Sequence, residues 1–314
     1  MKRNSSRKQL PTVCFVLAAK DLGLYADMAT VAALAVRRLH PQARIILVTD
    51  EPTARAIEYG NHALGNIASE LIVQPTGTED PIVSSRRLRT ILRQLVKGDY
   101  LYLDNDAIPV RPLDSGWPKV GDLAAALDRN QRGITPSALP IIEKLRAKLG
   151  WKFLPDHYFN SGVIFVRDTS AAHAFYVEWR RRYQQTISLG IWQDQISFNS
   201  VIAAGFATVA ILPDQDNRAT QSTVMLQGRA RIFHFFASVY GNVIPTDTLL
   251  GHLIARFQRD GALDEAAIAS ATRNNFPLMT NVGLKHLLLS GLYARATALA
   301  APRIIRRIRH KLSP

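Results

Sequence analysis

Two aspartates one residue apart, Asp104 and Asp106, close the apolar run in "GDYLYLDNDAIPVRPL" (residues 98–113). Tyr100 to Leu103 read as a strand with no polar face, and a strand's period of two aims both carboxylates the same way. Such a pair repels itself unless a cation lies between. Hard carboxylate oxygens converging at a strand end suit Mg²⁺ or Mn²⁺, which in turn hold a ligand's phosphates. A turn before Pro109, with the carboxylates accepting backbone N–H groups, is the competing reading. With 18 Asp among 314 residues, about one Asp-x-Asp triplet arises by chance. A second triplet does occur in "LPDQDNR", at Asp214 and Asp216. Pro213 opens a loop ahead of it, so that pair reads as a turn or as surface on the acceptor side.

The elements that must position these acids follow from periodicity. Short apolar runs at 12–18, 43–50 and 99–104 read as strands, and amphipathic runs at 25–40 and 84–96 as helices. This is βαβ order, which implies a parallel sheet. Further strands are expected at 122–128, 161–166, 207–212 and 230–236, with helices at 137–149, 171–189 and 193–204. In open α/β sheets ligands bind beyond the carboxyl ends of the strands. The first βα turn, "AAKDLGLYADM", lacks the GxGxxG spacing of dinucleotide sites, and no P-loop, GxSxG elbow or HExxH helix occurs anywhere.

Composition narrows the setting. A chain of 314 residues with 47% hydrophobic content can bury a full core. Cys14 is the single cysteine, which excludes an internal disulfide and a cysteine metal site and fits a reducing cytoplasm. The apolar run after the basic start breaks at Lys20 and Asp21, unlike a signal peptide, so no export is expected. No run reaches the roughly 18 apolar residues of a membrane span. The net charge of +14 sits at the ends: four Lys/Arg in residues 1–8 and eight in 266–314, with no acid in either. The remaining 27 basic side chains nearly balance the 25 acids. The ends therefore read as arms for an anionic surface. The expected organisation is a basic arm over 1–8, one α/β domain over 9–260, and a basic helical tail over 261–314.

With these segments in place, the sequence resembles the GT-A fold glycosyltransferases, and among them the retaining family-8 enzymes that include glycogenin and the bacterial lipooligosaccharide galactosyltransferases. "YLYLDNDAIPVRPL" is similar to the family's strand and metal-binding Asp-x-Asp. The resemblance implies that Asp104 and Asp106 hold a divalent cation, Mn²⁺ or Mg²⁺, bridging the diphosphate of a nucleotide-sugar donor. Arg87, seventeen residues upstream of Asp104, matches a basic residue near the diphosphate. Asp128, closing "LAAALD", matches an acid that binds donor-sugar hydroxyls. "YFNSGVIFV" resembles the family's FN[AS]GV element and carries over Asn160 and Ser161 as donor-site residues, joined by Ala18, Ala19, Tyr25 and Asn105. "WQDQISFN" resembles the DQ-plus-Asn helix start, placing Asp194 and Gln195 beside the reacting sugar. His234 in "RIFHFFASVYGN" matches a metal-ligand His. A His at the end of a strand-like run, joined to two Asp ligands, suits Mn²⁺, although a lone His among Phe residues also reads as a core residue.

The resemblance implies an α/β fold of the GT-A type, Rossmann-like, with a mixed, mostly parallel central sheet flanked by helices. It also implies retention of anomeric configuration, UDP as the nucleotide, and a glycan or glycolipid acceptor. Two departures stand out. His234 is not followed by the family's Gly and Lys-Pro-Trp segment, and the first strand ends on Ala18 and Ala19 instead of an acid. Asp194 could equally be a helix N-cap. A nucleotidyltransferase would carry a Gly-rich basic turn that "AAKDLGLY" lacks. A non-catalytic, basic-armed membrane- or nucleotide-binding protein on the same fold is the other alternative. Nucleic acid is not expected, because the charge sits at the termini and not on an aromatic-interleaved face. In 284–314, Arg303, Arg306, Arg307, Arg309 and Lys311 surround Ile304, Ile305, Ile308 and Leu312, a pattern suited to an anionic bilayer surface. A helix packed on the body with a solvated basic end is the other reading. Together with the family, the membrane reading implies peripheral attachment to the cytoplasmic face of a membrane and a role in lipopolysaccharide biosynthesis.

Overall fold

A computed structural model describes residues 12–19, 21–78, 80–113, 121–220, 227–237 and 243–273, with a few positions between 288 and 301. In chain order the elements are β1 (Thr12–Leu17), α1 (Gly23–Leu39), β2 (Ile45–Thr49), α2 (Glu51–Tyr59), α3 (Ala63–Ile67), β3 (Glu70–Val73), α4 (Pro81–Arg89), α5 (Leu92–Leu95), β4 (Tyr100–Leu103) and β5 (Ala107–Pro109). They continue with β6 (Leu123–Leu127), α6 (Leu139–Leu149), β7 (Phe159–Val166), α7 (Ser170–Ser188), α8 (Asp194–Ala203), β8 (Val209–Ile211), β9 (Arg218–Ala219), β10 (Ile232–His234), α9 (Leu249–Asp260) and α10 (Glu265–Ala271).

Seven strands form a mixed sheet in the order β3-β2-β1-β4-β7-β6-β8, and β5, β10 and β9 form a small second sheet. The strands from β3 to β4 are parallel, as the βαβ spacing predicts. β7 runs antiparallel to both β4 and β6. That reversal matters for the site, because it brings the start of β7 to the edge where β4 ends. Asp104 N donates to Gly162 O at 2.7 Å across this junction.

The sheet is apolar on both faces, and alternation sorts its residues between two layers. Val13, Phe15 and Leu17 join α1, α9 and the small sheet, while Cys14 and Val16 face the layer of α7 and α8. Cys14 is buried, and that burial pushes its thiol well above the ordinary value, so it is an inert core residue. The alanines of α1 let it lie close against the sheet. A third apolar cluster, including Ile142, Trp151, Phe153 and Ile196, seats α6 beside α8.

The expected helix over 84–96 is two helices. Asp80 caps α4, accepting from Ile82 N at 2.8 Å, with Pro81 at its first position. It ends where Thr90 Oγ1 bonds back to Arg87 O at 2.8 Å and the β-branched Thr90–Ile91 pair tightens the turn. The expected domain boundary at 260 falls inside packed structure. Ala267, Ile268 and Ala271 of α10 are buried in the same core as α1 and α9. The arm over 1–8 and almost all of the tail segment 284–314 lie outside the described residues. Among the described residues no helix is long and apolar enough to cross a membrane.

Candidate functional site

The carboxyl end of β4, the start of β7, the end of β10 and the start of α8 meet at one edge of the main sheet. There Asp104, Asp106 and His234 each offer one ligand atom, and the three atoms lie within 4.8 Å of one another. His234 Nε2 is 3.4 Å from Asp106 Oδ1 and 3.8 Å from Asp104 Oδ2. The pairing of β5 with β10 produces this meeting, since Ala107 lies opposite His234 and Phe235 N donates to Asp106 O at 3.1 Å. Gly162 keeps the space clear. A Cβ there would stand 2.5 Å from Asp104 Oδ2 and closer still to His234 Cε1. Two hard oxygens and an imidazole nitrogen around a cradle that a side chain would fill fit Mn²⁺ or Mg²⁺.

Both readings of the triplet leave a trace. Ala107 N donates to Asp104 O at 2.9 Å, which closes a turn. The carboxylates, however, serve more than that turn. Asp104 Oδ1 accepts from the Tyr102 hydroxyl at 2.5 Å and pairs with Arg89 Nη2 at 2.9 Å. Asp106 Oδ2 accepts from the distant Ala237 N at 2.6 Å. Burial raises the Asp106 carboxyl, but the His234 charge and the Ala237 N–H hold it below the ordinary carboxylate value. Burial opposes the His234 imidazolium as well, yet Asp106, with Asp104 and Asp128 beyond it, sets its pKa above the ordinary imidazole value.

A row of hydrogen bonds runs from His234 into the sheet. Its Nδ1 lies 2.9 Å from Asn217 Oδ1, and Asn217 Nδ2 donates to Asn160 Oδ1 at 2.9 Å. Asn160 Nδ2 reaches Asp128 Oδ1 at 3.1 Å and Gln195 Oε1 at 3.2 Å, and Ser161 N also donates to Gln195 Oε1 at 3.2 Å. Asn199 pins α8 to β7, accepting from Phe159 N at 2.6 Å and donating to Phe159 O at 2.8 Å. Asp128 is followed by Arg129 and Asn130, both left-handed at φ 52° and 54°. Asn130 uses that bend to bond Asn217 O and Ala219 N at 2.8 Å each. Backbone strain of this kind gathers at sites that the surroundings over-determine.

Asp194 does not cap its helix. Gln193 is the N-cap of α8, with no side-chain cap bond. The Asp194 carboxylate lies 3.3 Å from Arg89 Nη1 and 3.7 Å from Arg86 Nε, and is 4% exposed. Arg89 is the residue that the sequence reading missed. Its buried guanidinium bridges Asp104 and Asp194, donates to Ser161 O at 3.2 Å and Ser161 Oγ at 3.1 Å, and lies over the Tyr102 ring. Four acids, Asp104, Asp106, Asp128 and Asp194, thus share a small volume with Arg89, Arg86 and His234, a balance that a divalent cation would close.

Of the remaining expected residues, Arg87 does not reach the carboxylates. It donates to Thr76 O at 2.6 Å and lines a cavity of about 180 Å³ with Thr76, Thr90, Arg180 and Tyr183. Two positions separate Arg87 from Arg89, which turns them to opposite sides of one helix. Asn105 Nδ2 donates to Val16 O at 3.1 Å and ties the Asp turn to β1. Ala18 and Ala19 follow the carboxyl end of β1, where Ala19 N donates to Thr53 Oγ1 at 2.7 Å, and Tyr25 stands half-exposed in the first turn of α1. The second triplet is engaged by arginines, Asp214 with Arg218 at 3.8 Å and Asp216 with Arg231. Its neighbour Asn217, which the sequence reading passed over, is the partner of His234.

No protein-family model matches this chain, and no curated protein does. Among solved structures it is similar to mouse xyloside xylosyltransferase 1 in its apo form, at TM-score 0.49 and 14% identity over 75% of this chain and 99% of that one. It is also similar to galactosyltransferase LgtC in complex with donor and acceptor sugar analogues, at 0.47 and 20% over 66% of this chain and 75% of that one. A third is the glycosyltransferase GlyE of Streptococcus pneumoniae TIGR4, at 0.47 and 15% over 82% of this chain and 62% of that one. At TM-scores below 0.5 these likenesses say nothing of this chain's chemistry.

Proposed function

We propose that the chain is a metal-dependent glycosyltransferase. It moves a sugar from a nucleotide-sugar, with UDP as the nucleotide, to a glycan or glycolipid hydroxyl with retention of anomeric configuration. The observation that carries this reading is the meeting at one sheet edge of the Asp104–Asp106–His234 donor set with the row Asp128–Asn160–Gln195 and the buried Asp194. The motif resemblance of the same residues supports it from the sequence side. Breaking a sugar–phosphate bond builds negative charge on the leaving diphosphate and positive charge on the anomeric carbon, so a cation site beside anchored acids suits it. Asp104, Asp106 and His234 would hold a divalent cation, which would supply Lewis-acid stabilisation for the leaving diphosphate.

The chain's own groups do the rest. Asp128 and Asn160 hold sugar hydroxyls, which fixes the ring relative to the leaving group. Asp194, anchored by Arg89, and the Gln195 amide lie on the side where the anomeric carbon becomes oxocarbenium-like. The bond from that carbon to the diphosphate oxygen breaks, and its electron pair leaves with UDP. The acceptor oxygen takes the vacated position on the same face, and the acceptor proton leaves on the released UDP.

UDP release from a panel of UDP-sugars, with and without Mn²⁺, tests the reading, with proton NMR of the early product reporting its anomeric configuration. Mn²⁺-dependent turnover with a retained linkage is expected. An inverted product refutes retention, and a protein that binds neither UDP nor Mn²⁺ refutes the whole. On sequence pattern alone we further assign 284–314 to peripheral attachment at an anionic membrane surface. Replacing Arg303, Arg306, Arg307, Arg309 and Lys311 by Gln should release the protein from vesicles containing anionic phospholipid. Equal sedimentation of both forms contradicts this attachment.

A further inference from the structure

Two arginines on neighbouring helices, Arg87 of α4 and Arg180 of α7, carry positive charge that no acid balances. In α4, Arg86 and Arg89 pair with Asp194, and Arg89 also with Asp104. Arg87 is turned away from that side. α4 has no acid of its own, and its capping Asp80 accepts from Ile82 N and Val83 N. In α7, Glu178 is the one acid, and Arg181 and Arg182 already share it. Among the described residues, neither Arg87 nor Arg180 pairs with a carboxylate.

These two guanidiniums line one cavity of about 180 Å³ between α4 and α7. Arg87 is held in place there: Gly77, at φ +65°, bends the loop after β3, and Arg87 Nη1 donates to Thr76 O at 2.6 Å. The hydroxyls in the wall are already engaged, Thr90 Oγ1 on Arg87 O at 2.8 Å and the Tyr183 hydroxyl on Trp192 O at 3.2 Å. The remaining guanidinium N–H groups and the Gln184 amide are what the cavity offers a ligand. Two like charges facing one cavity repel, and an anion between them removes that repulsion. A phosphate dianion matches both charges and gives each planar fork oxygens to bond, whereas a carboxylate balances only one.

We propose that the cavity between α4 and α7 is a phosphate-binding site, which takes inorganic phosphate or the phosphate group of a small phosphomonoester. It lies on the side of α4 turned away from Arg89, and it requires neither the cation nor the glycosyltransferase reading. Its occupant bridges two elements that anchor Asp194. α4 carries Arg86 and Arg89, and Tyr183 of α7 holds the backbone two residues before Asp194.

Calorimetry on the full chain without added metal tests the site, at mildly alkaline pH where a phosphate is a dianion. Chloride keeps the ionic strength constant. The titrants are inorganic phosphate and glucose 6-phosphate. The proteins are wild type, Arg180→Gln, Arg87→Gln and Arg181→Gln, each first shown by urea unfolding to be folded. Arg180 is the deciding position, because it is exposed and holds no loop, whereas Arg87 also anchors Thr76. At least one titrant should bind the wild-type protein. Its affinity should fall about tenfold or more in Arg180→Gln and in Arg87→Gln, the scale of one charge-assisted hydrogen bond. Arg181→Gln, which removes an equal charge from the same helix, should stay within about twofold of wild type. Binding of both titrants with this dependence supports a site that accepts the free ion, and binding of glucose 6-phosphate alone supports a phosphomonoester site. If neither titrant binds, or if Arg180→Gln weakens binding no more than Arg181→Gln, the site is refuted, and the glycosyltransferase reading is unaffected.

Discussion

Removing the Arg89 guanidinium should damage the protein in a way that exposes how the site is balanced. The group is 4% exposed and pairs with Asp104 at 2.9 Å and Asp194 at 3.3 Å. At an effective dielectric of about 20, the gross attractions are about 6 and about 5 kcal/mol. Desolvation of three charges cancels much of this, so the pairs need add little net stability against an apolar replacement of all three partners. Deleting Arg89 alone differs, because it strands Asp194 in the interior with only Arg86 at 3.7 Å. Arg89→Ala should therefore cost about 3–5 kcal/mol in urea unfolding. Arg89→Lys keeps the charge but cannot bridge two carboxylates, and should cost about half as much. In a double-mutant cycle with Asp194→Asn, the coupling should reach about 1–3 kcal/mol. A loss below about 1 kcal/mol for Arg89→Ala, with no coupling in the cycle, would refute the bridging role, because that is the range of an exposed pair.

Two further predictions concern the cation site itself. Gly162→Ala puts a methyl group 2.5 Å from Asp104 Oδ2 and against His234, so Mn²⁺ affinity by calorimetry should fall by more than about tenfold, with a stability cost of about 1–3 kcal/mol. An unchanged affinity would show that the cation does not sit between these groups. Because the acids around His234 hold its pKa above the ordinary imidazole value, the metal-free protein carries a proton there on the acid side of that raised value. Mn²⁺ binding must expel this proton, so affinity should rise with pH through that window and level off beyond it. Calorimetry in buffers of different ionisation enthalpy should register proton release that vanishes in His234→Gln, and equal release from the variant would contradict the assignment.

The large elements were legible because their periods are clean. β1, α1, β2, β4, β6, β7, α7 and α8 all lie where short apolar runs or helical apolar patterns put them. β3 was not, since as an edge strand it shows only the half-exposed pattern of Glu70–Val73. α2 was passed over although its Asp50 cap and Pro52 signal a start, with Thr53 N donating to Asp50 Oδ1 at 3.1 Å. The antiparallel setting of β7 leaves no mark in its own residues, yet it puts Asn160 and Ser161 beside Asp104. The meeting of Asp104 and Asp106 with His234 was readable because it combines a strand end with a motif. The choice between Arg87 and Arg89 was not, because "RRLR" offers three guanidiniums and only the seating of α4 on the sheet selects one. Gly162 and Asn217 act through space they leave open and through a bond across two sheets, neither of which a local pattern encodes.

The central claim is that Asp104, Asp106 and His234 jointly hold a divalent cation that carries the donor diphosphate. Anomalous diffraction at the manganese edge, from crystals grown with Mn²⁺ and UDP, tests it most directly. The account predicts one strong peak bonded to both carboxylates and to His234 Nε2, with the UDP phosphates completing its shell. A peak at Asp214 and Asp216, or UDP bound at this edge with no metal between the three side chains, would contradict it.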